Sequence, residues 1–159
     1  HQCGVRVQNA CEMVGMGLQH LVEALPKDQP WVALQLDFTN AFNSIHRQAV
    51  LEGVARRAPC IINWMKFGYG GDTPLFCQGN VVLRKSGVQQ GDPLGPAAFA
   101  IGLHDVVDKL KDIPLEWFTF YLDDGLLVGS VEHVFNAFTV IRSMANTRGI
   151  QLNPTKCKG

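Results

Sequence analysis

The chain lacks the features that mark membrane-spanning, secreted or zinc-binding proteins. Its 159 residues contain no run of about 18 uninterrupted apolar residues, which excludes a membrane-spanning helix. We expect no membrane partner. No signal peptide is visible, because the start has neither a Met nor an apolar segment. The five cysteines are far apart, with no Cys-x₂-Cys pair, so neither a zinc site nor a disulfide framework is favoured. We expect reduced thiols in an intracellular protein.

The chain also lacks an excess of positive charge. Its 14 Lys and Arg residues balance 14 Asp and Glu residues. A protein that binds nucleic acid by itself normally presents a basic surface. We therefore expect this chain alone to bind nucleic acid weakly, either because basic segments lie outside it or because it has no such function. Its ends, His1 and Gly159, suggest a piece of a longer protein, and the 47% hydrophobic content suffices for the core of one domain.

Two adjacent carboxylates stand between two apolar runs. Residues 120–125 read Phe-Tyr-Leu-Asp-Asp-Gly, and the residues on either side read as strands. The step from Asp123 through Asp124 to Gly125 should then be the tight turn of a β-hairpin. Carboxylates held close together resist ionising together unless a cation neutralises them. The pair indicates either a cation site or simply a good turn, because Asp-Gly closes many hairpins.

A third carboxylate follows a short apolar run. Residues 31–36 read Trp-Val-Ala-Leu-Gln-Leu, which predicts a strand buried on both faces with Asp37 at its carboxyl end. If this strand lies beside the hairpin, Asp37 and Asp123 converge and offer only oxygen ligands. Such ligands select Mg²⁺ or Mn²⁺ over zinc, and two ions roughly 3.5–4 Å apart serve phosphoryl transfer. Taken alone, Asp37 also fits a residue that caps the following turn.

A loop rich in Gly and Pro precedes an apolar helical stretch. Residues 85–96 read Lys-Ser-Gly-Val-Gln-Gln-Gly-Asp-Pro-Leu-Gly-Pro. The glycines permit positive φ or a close approach of the backbone to another molecule, and the prolines stiffen the turn and start the helix. The loop suits a nucleotide or a base pair, although the same composition also makes ordinary connections. It contains no Walker-type Gly-Lys-Ser/Thr sequence.

These three segments, in this order, resemble motifs A, B and C of the reverse transcriptase palm, most like the non-LTR retrotransposon branch. Residues 2–11, Gln-Cys-Gly-Val-Arg-Val-Gln-Asn-Ala-Cys, look like the Gln-x-Gly-hydrophobic segment that precedes this palm, and residues 149–157 look like motif D. The resemblance implies one partial reverse transcriptase domain. Residues 1–28 would be the end of the fingers and a connecting helix, residues 29–159 would be the palm, and the remaining fingers and the thumb would lie outside the chain.

The resemblance implies the site residues by position. Asp37 and Asp123 would be the metal-binding carboxylates. Asp124, the second acid of the pair, would be a further catalytic and metal-binding residue in support of them. The backbone carbonyl of Phe38 would complete the shell of one ion. Phe42 stands at the place of the aromatic steric gate, whose ring would collide with a ribose 2′-hydroxyl and so favour deoxynucleotides.

Further positions match motifs B and D. Gln90 and Gly91 match the Gln-Gly of motif B, which contacts the nucleotide and the template. Lys156 matches a motif D lysine that approaches the departing pyrophosphate, although a Lys near a chain end is usually a solvated surface charge. Two positions depart from the family pattern without removing an implied ligand. Asn43 stands where many relatives have Asp, and Leu122 stands where Ala is more usual.

The function that the resemblance implies is that of an RNA-directed DNA polymerase, a nucleotidyltransferase from a retroelement. It would add deoxynucleotides to a primer 3′-hydroxyl with two Mg²⁺ ions, or Mn²⁺ in their place. Its partners would be an RNA template, a DNA primer, deoxynucleoside triphosphates and the other domains of a parent polyprotein, in the nucleus or the cytoplasm. The fragment alone is expected to be inactive.

Two alternatives stay open. One is a catalytically silent palm, either a relic or a nucleic-acid-binding module. The other is an RNA-directed RNA polymerase, which Phe42 and the Gln90-Gly91 pair disfavour, because such enzymes usually carry a second acid at the gate position.

The hydrophobic periodicity predicts an α+β fold. Ser44 and Ser130 are expected N-caps of two of the helices, and Gly149 is expected to end the second. The order strand, helix, hairpin, helix, strand is that of a split βαβ, or ferredoxin-like, antiparallel sheet with helices packed on one face. Helices are expected over residues 9–24, 44–57, 61–67, 96–111 and 130–149, and strands over residues 31–37, 75–77, 81–83, 116–129 and from 150.

Overall fold

The computed structural model describes residues 2–5, 7–89 and 91–159. The helices in these ranges are α1 (Ala10–Ala24), α2 (Ala41–Ser44), α3 (Arg47–Arg57), α4 (Ile62–Tyr69), α5 (Gly95–Lys109) and α6 (Val131–Thr147). The strands are β1 (Trp31–Leu36), β2 (Phe38–Thr39), β3 (Thr73–Cys77), β4 (Asn80–Arg84), β5 (Trp117–Tyr121), β6 (Asp124–Ser130) and β7 (Gln151–Leu152). Among these described helices, none has the length and apolar character needed to cross a bilayer.

The central sheet has the strand order β1-β6-β5, and both pairings are antiparallel. Directly after β1, the short strand β2 pairs with β7, with Phe38 opposite Leu152. The β3-β4 hairpin forms a separate two-stranded sheet. The hairpin of β5 and β6 therefore lies beside β1, as the convergence of the carboxylates requires. The predicted α+β fold with an antiparallel sheet is confirmed.

One face of the central sheet carries the hydrophobic core. Alternation along the strands turns Leu36, Phe120 and Leu127 to this face, where each is fully buried. They belong to one cluster with Phe99 of α5 and Ile141 of α6. Truncating a buried Phe of this kind to Ala costs about 3–5 kcal/mol of folding free energy. Helices α5 and α6 thus lie over one face of the sheet, as predicted, and α3 packs against α5.

Helix α1 precedes the βαβ unit and lies over the opposite face. Its Gly17 approaches the ring of Trp117, since a Cβ at that position would lie 3.5 Å from a ring carbon. Trp117 and Thr119 point away from the core face because they alternate with Phe118 and Phe120 along β5. Both faces of the sheet are therefore covered near β5.

One predicted helix start is confirmed and the other is wrong. The hydroxyl oxygen of Ser130 accepts a hydrogen bond from the backbone N–H of His133 at 3.3 Å, so Ser130 is an N-cap. Ser44 instead ends the one-turn helix α2, and α3 begins at Arg47. The reason is Ile45, which is fully buried with an extended ψ of 133° and interrupts the helical path.

The predicted hairpin is confirmed, but its turn lies earlier than predicted and shares only Asp123 with the predicted turn. The two turn residues are Leu122 and Asp123, whereas Asp124 and Gly125 already belong to β6. The sheet needs Gly125 for close packing, because a Cβ there would lie 2.7 Å from the ring of Phe120. The positive φ of 56° falls on Leu122 rather than on the glycine.

Candidate active site

The strand pairing brings Asp37 and Asp123 to the same end of the sheet. Leu36 lies opposite Gly125 in the register of β1 and β6. Opposite residues of antiparallel strands have Cα atoms roughly 4.5–5.5 Å apart. Asp37, one residue beyond Leu36, therefore lies beside the hairpin tip that carries Asp123. The two acids, 86 positions apart in the sequence, share one region of space.

Negative charge dominates the electrostatics of this region, because three carboxylates face one exposed ammonium group. Burial raises the pKa of Asp123, and the negative charges of Asp124 and Asp37 raise it further. The Oδ2 atom of Asp37 is buried and has no hydrogen-bond partner in the part of the chain that the structure describes. The Nζ atom of Lys156 lies 3.9 Å from it, outside hydrogen-bond distance. A buried carboxylate oxygen without a partner is costly, so the site fits a bound cation.

The side chains match the ligand set of a hard divalent cation only in part. Within the described ranges, no group of three His, Cys, Asp or Glu side chains could hold a metal by itself. Mg²⁺, however, is usually bound through one or two carboxylates together with waters and substrate phosphates. Asp37 and Asp123 fit that pattern, in which a phosphate-bearing substrate completes the coordination.

A hollow of about 540 Å³ lies next to Asp123. Its walls come from the turn after β2, from the start of α2, from the Gly/Pro loop before α5 and from the hairpin tip. The lining residues are Asn40, Ala41, Phe42, Asn43, Gln89, Gly91, Asp92, Pro96 and Asp123. The structure thus brings residues of the three predicted segments to one open depression.

The ring of Phe42 is fixed by stacking. Its centroid lies 4.4 Å from that of Phe99, with the ring planes 12° apart. Phe99 belongs to α5 and is fully buried, so it forms a rigid support. Stacked aromatic pairs contribute about 0.5–1.5 kcal/mol beyond the burial of their area. Phe42 therefore presents a firmly held ring to the hollow.

The loop of residues 85–95 is held by buried polar contacts. The Nε atom of Arg47 donates to the carbonyl of Gly87 at 3.3 Å, and its guanidinium lies 5.7 Å from the ring centroid of Tyr69. The hydroxyl of Tyr69 donates to Asp92 and accepts from the backbone N–H of Gln89. Burial lowers the pKa of Arg47, and the positive charge of Arg84 lowers it further. These contacts fix the loop against α3 and α4.

The comparison with protein families agrees with this geometry. The model of the reverse transcriptase (RNA-dependent DNA polymerase) family matches residues 1–159. The chain belongs to the reverse transcriptase family.

Two curated relatives are retrotransposon proteins. The chain is 29% identical to the retrotransposable element SLACS 132 kDa protein of Trypanosoma brucei gambiense, over 95% of the chain and 14% of that protein. It is 30% identical to the retrovirus-related Pol polyprotein from type-1 retrotransposable element R2 of Popillia japonica, over 82% of the chain and 24% of that protein. The chain thus spans a quarter or less of the length of these relatives. Both bear out the predicted non-LTR retrotransposon type.

A solved structure shares the fold. Apo telomerase from Candida tropicalis, truncated from the C-terminal domain, superposes with a TM-score of 0.71 at 16% identity. The match covers 98% of this chain and 35% of the telomerase chain. The predicted reverse transcriptase palm fold is therefore confirmed.

The second acid of motif C points elsewhere in this reverse transcriptase palm. Asp124 is exposed in β6 opposite Tyr121, and it lines a different hollow together with Val14 and Leu18 of α1. Its charge still lies near enough to raise the pKa of Asp123. The structure therefore brings Asp37 and Asp123 together and directs Asp124 to the face of the sheet that α1 covers.

The remaining predicted residues of the palm are placed as follows. Gly91 lines the hollow with a φ of 89°, whereas Gln90 lies outside the described residues. Phe38 is buried in β2, and the role of its carbonyl stays a prediction. Lys156, with a 67% exposed side chain, lies beside Asp37. Its ammonium group lies next to the unpartnered carboxylate oxygen, and its role towards pyrophosphate stays a prediction.

Sequence reasoning missed several lining residues. Asn40 takes a left-handed φ of 49° and accepts a hydrogen bond from Asn43 at 2.6 Å, and Asn43 in turn accepts one from Arg84 at 2.7 Å. Asn43, which departs from the family pattern, therefore joins motif A to the segment that leads into the loop of motif B. A left-handed Asn in an Asn-Ala-Phe-Asn sequence is a weak signal that could have pointed to this turn. Gln89 and Asp92 carried no such signal beyond their place in the Gly/Pro loop.

Proposed function

We propose that this chain is the catalytic palm of an RNA-directed DNA polymerase from a non-LTR retrotransposon. The proposed reaction joins the 3′-hydroxyl of a DNA primer to the α-phosphorus of a deoxynucleoside triphosphate and releases pyrophosphate. The template is RNA. Residues 1–28 would be the end of the fingers and a connecting helix, and residues 29–159 the palm. The other domains of the parent protein would supply most of the nucleic-acid contacts. The reaction would take place inside the cell.

One observation carries the proposal. Asp37 has a buried Oδ2 atom without a hydrogen-bond partner in the described part of the chain, beside an acid whose pKa is raised by burial and by neighbouring carboxylates. Groups whose pKa is shifted by burial and by a specific charged neighbour, next to a hollow, are typical of functional sites. A purely structural palm would gain nothing from this arrangement of repelling charges.

The residues of the hollow have distinct roles in this proposal. The carboxylates of Asp37 and Asp123, with the carbonyl of Phe38, would hold two Mg²⁺ ions, and Asp124 would add negative charge that favours their binding. When bound, the ions activate the attacking hydroxyl and stabilise the leaving oxygen. The ring of Phe42 excludes a ribose 2′-hydroxyl from the hollow.

The loop of motif B and the end of the chain complete the proposed site. Apart from its chain neighbours, no atom of the described residues lies within 4 Å of a Cβ added at Gly91. This open space would let a nucleotide or the template approach the backbone, with Gln90 as a further contact. The ammonium group of Lys156 places a positive charge beside Asp37, where it would attract the negative charge of departing pyrophosphate.

Primer extension on an RNA template by the parent protein tests the proposal. Asp37→Asn and Asp123→Asn should each lower the rate about a hundredfold or more, because each removes charge that stabilises the reaction. Asp28→Asn is the matched control, because Asp28 is exposed and precedes β1, at the end of the strand away from Asp37. An unchanged rate in Asp123→Asn would exclude the proposed mechanism. No extension by the unaltered parent, with retained RNA binding, would favour a silent palm instead.

A further inference from the structure

The hairpin tip that carries Asp123 contains an unfavourable backbone conformation. Leu122, the residue before Asp123, has a φ of 56°. Branched side chains avoid this left-handed region, which glycine adopts freely. Strain of this kind persists only where surrounding contacts impose it, and it is concentrated at functional sites. The contacts that hold Leu122 therefore decide where Asp123 points.

The side chain of Gln2 binds both backbone groups of Leu122. Its Oε1 atom accepts a hydrogen bond from the N–H of Leu122 at 2.8 Å, and its Nε2 donates to the carbonyl of Leu122 at 3.1 Å. The same Oε1 also accepts from the N–H of Gly4 at 3.1 Å. Next to it, the N–H of Cys3 donates to the carbonyl of Phe120 at 2.7 Å. A planar amide that bonds to two backbone groups of one residue fixes the orientation of that residue.

Gly4 makes this approach possible. A Cβ at Gly4 would lie 2.6 Å from Cγ of Leu122 and 2.7 Å from its backbone nitrogen. Real Cβ atoms do not approach other atoms so closely, and a backbone nitrogen has little freedom to move. The Gln-x-Gly sequence at residues 2–4 is thus complementary to the tip of a hairpin almost 120 residues later.

We propose that Gln2 and Gly4 are positioning residues, which hold Leu122 in its left-handed conformation and so direct Asp123 towards Asp37. The inference rests on the proposed function and adds a specific device to it. Two carboxylates that repel each other tend to separate when no cation is bound. A turn held from outside keeps them in the geometry that binds the ions, which is preorganisation of the site.

The first test compares Gln2→Ala with the unaltered parent protein. The affinity for Mn²⁺, measured by electron paramagnetic resonance without nucleic acid, should fall about tenfold. In primer extension, kcat should fall about ten- to a hundredfold while KM for the template-primer stays within about twofold, because a displaced carboxylate affects the reacting geometry and not template binding. Gln8→Ala, an exposed glutamine of the same segment, is the matched control and should change neither quantity.

The second test uses the strain itself. Glycine accepts positive φ without cost, so Leu122→Gly in the Gln2→Ala background should recover part of the lost Mn²⁺ affinity and kcat. Gln2→Glu keeps the acceptor for the N–H of Leu122 and loses the donor to its carbonyl, so it should give an intermediate loss. It also covers the case in which Gln2→Ala fails to fold.

The outcomes separate this inference from the proposed function. In one outcome, Gln2→Ala and Gln2→Glu both keep the Mn²⁺ affinity and kcat of the unaltered protein while Asp123→Asn is inactive. That result would overturn the positioning role and leave the proposed function standing. A lower Tm with unchanged Mn²⁺ affinity would mean that Gln2 serves stability alone and would equally overturn it. If Asp123→Asn were fully active, the proposed function would fail instead, and the Mn²⁺ measurement would still decide the role of Gln2.

Discussion

In the proposed function, Phe42 is the residue expected to set the sugar selectivity. It lines the same hollow as Asp123 and is held by stacking on the buried Phe99. A ring that cannot turn aside excludes an additional hydroxyl more strictly than a mobile one. Selectivity should therefore depend on the ring itself and not on the hydrophobicity of the position.

We expect Phe42→Ala to admit ribonucleotides. The ratio of kcat/KM for a deoxynucleotide to that for the matching ribonucleotide should fall roughly tenfold or more, because the clash with the 2′-hydroxyl disappears. Single-nucleotide incorporation by the parent protein measures this ratio. Phe42→Tyr keeps the ring and should keep the preference. Equal sugar selectivity in Phe42→Ala and the unaltered protein would remove Phe42 from its role as the gate.

The raised pKa of Asp123 makes stability depend on pH and on metal. Because the native state holds this proton more tightly than the unfolded state, the charged form opposes folding at neutral pH. This deficit is fully present above the native pKa, shrinks as the pH falls through it and is absent below the unfolded value near 3.8. Without metal, Asp123→Asn should therefore be more stable than the unaltered protein at pH 7.5.

Thermal unfolding in the presence of a chelator measures this difference. The advantage of Asp123→Asn should shrink towards acid pH, and Mg²⁺ should raise the Tm of the unaltered protein more than that of the variant, because ligand that binds the native state stabilises it. Asp28→Asn should show neither effect. A lower stability of Asp123→Asn at pH 7.5 without metal would contradict this account of the site.

Sequence reasoning at the level of residues found those whose chemistry is local. Asp37 and Asp123 were predicted because carboxylates at the end of an apolar strand and at a hairpin tip can converge. Phe42 was predicted through the resemblance to motif A. Gln2 has no such signal by itself, since its partner Leu122 lies 120 positions away. Only the folded chain shows that one side chain holds both backbone groups of that residue.

At the level of elements, the loop of residues 85–95 depends on Gly87, a position where the surrounding atoms leave no room for a side chain. Gly87 has a φ of 76°, and a Cβ there would lie 2.5 Å from the carbonyl oxygen of Asn43. Gly79 in the β3-β4 turn has a similar φ of 79° but no atom within 4 Å of an added Cβ. The two glycines have similar left-handed backbones and differ in the space available for a side chain.

We expect Gly87→Ala to destabilise the protein more than Gly79→Ala does. The left-handed conformation alone costs about 1–2 kcal/mol, and forced contact with a carbonyl adds about 1–3 kcal/mol. Chemical denaturation measures the difference in the free energy of unfolding. Gly87→Ala should also raise KM for the nucleotide, because the displaced loop carries Gly91. Equal costs for both substitutions would mean that the loop shifts freely and does not fix the hollow.

Elements with strong periodicity were predictable, and those that depend on partners were not. The predicted helix over residues 9–24 and the strand over 31–37 match α1 and β1 closely. The pairing of β2 with β7 involves two residues on each strand, which is too short for any pattern to indicate. The break at Ile45 arises because its burial outweighs the helical periodicity of its neighbours.

At the scale of the whole molecule, much of the positive charge is used inside the chain. Arg57 and Arg148 both bind Asp105, at 2.7 and 2.8 Å, and Asp108 pairs with Arg57 at 2.8 Å and with Lys111 at 2.7 Å. These pairs join α3, α5 and the end of α6. A guanidinium that already pairs with carboxylates contributes little to binding phosphates.

This charge distribution predicts that the chain alone binds nucleic acid with low affinity and that the affinity depends little on salt concentration. Each neutralised phosphate steepens the slope of log K against log salt concentration by about 0.7–0.9. With equal numbers of acidic and basic residues, and several of the basic ones paired internally, we expect the chain alone to contact about three phosphates or fewer and to give a slope no steeper than about −3. Fluorescence anisotropy of a labelled RNA–DNA duplex between 50 and 200 mM salt measures this slope, and the parent protein, which carries additional segments, should give a steeper one. A slope near −6 for the chain alone would mean that exposed basic side chains, among them Lys85 and Lys158, form a phosphate-binding surface. That surface would be strong enough to hold the duplex without any other domain.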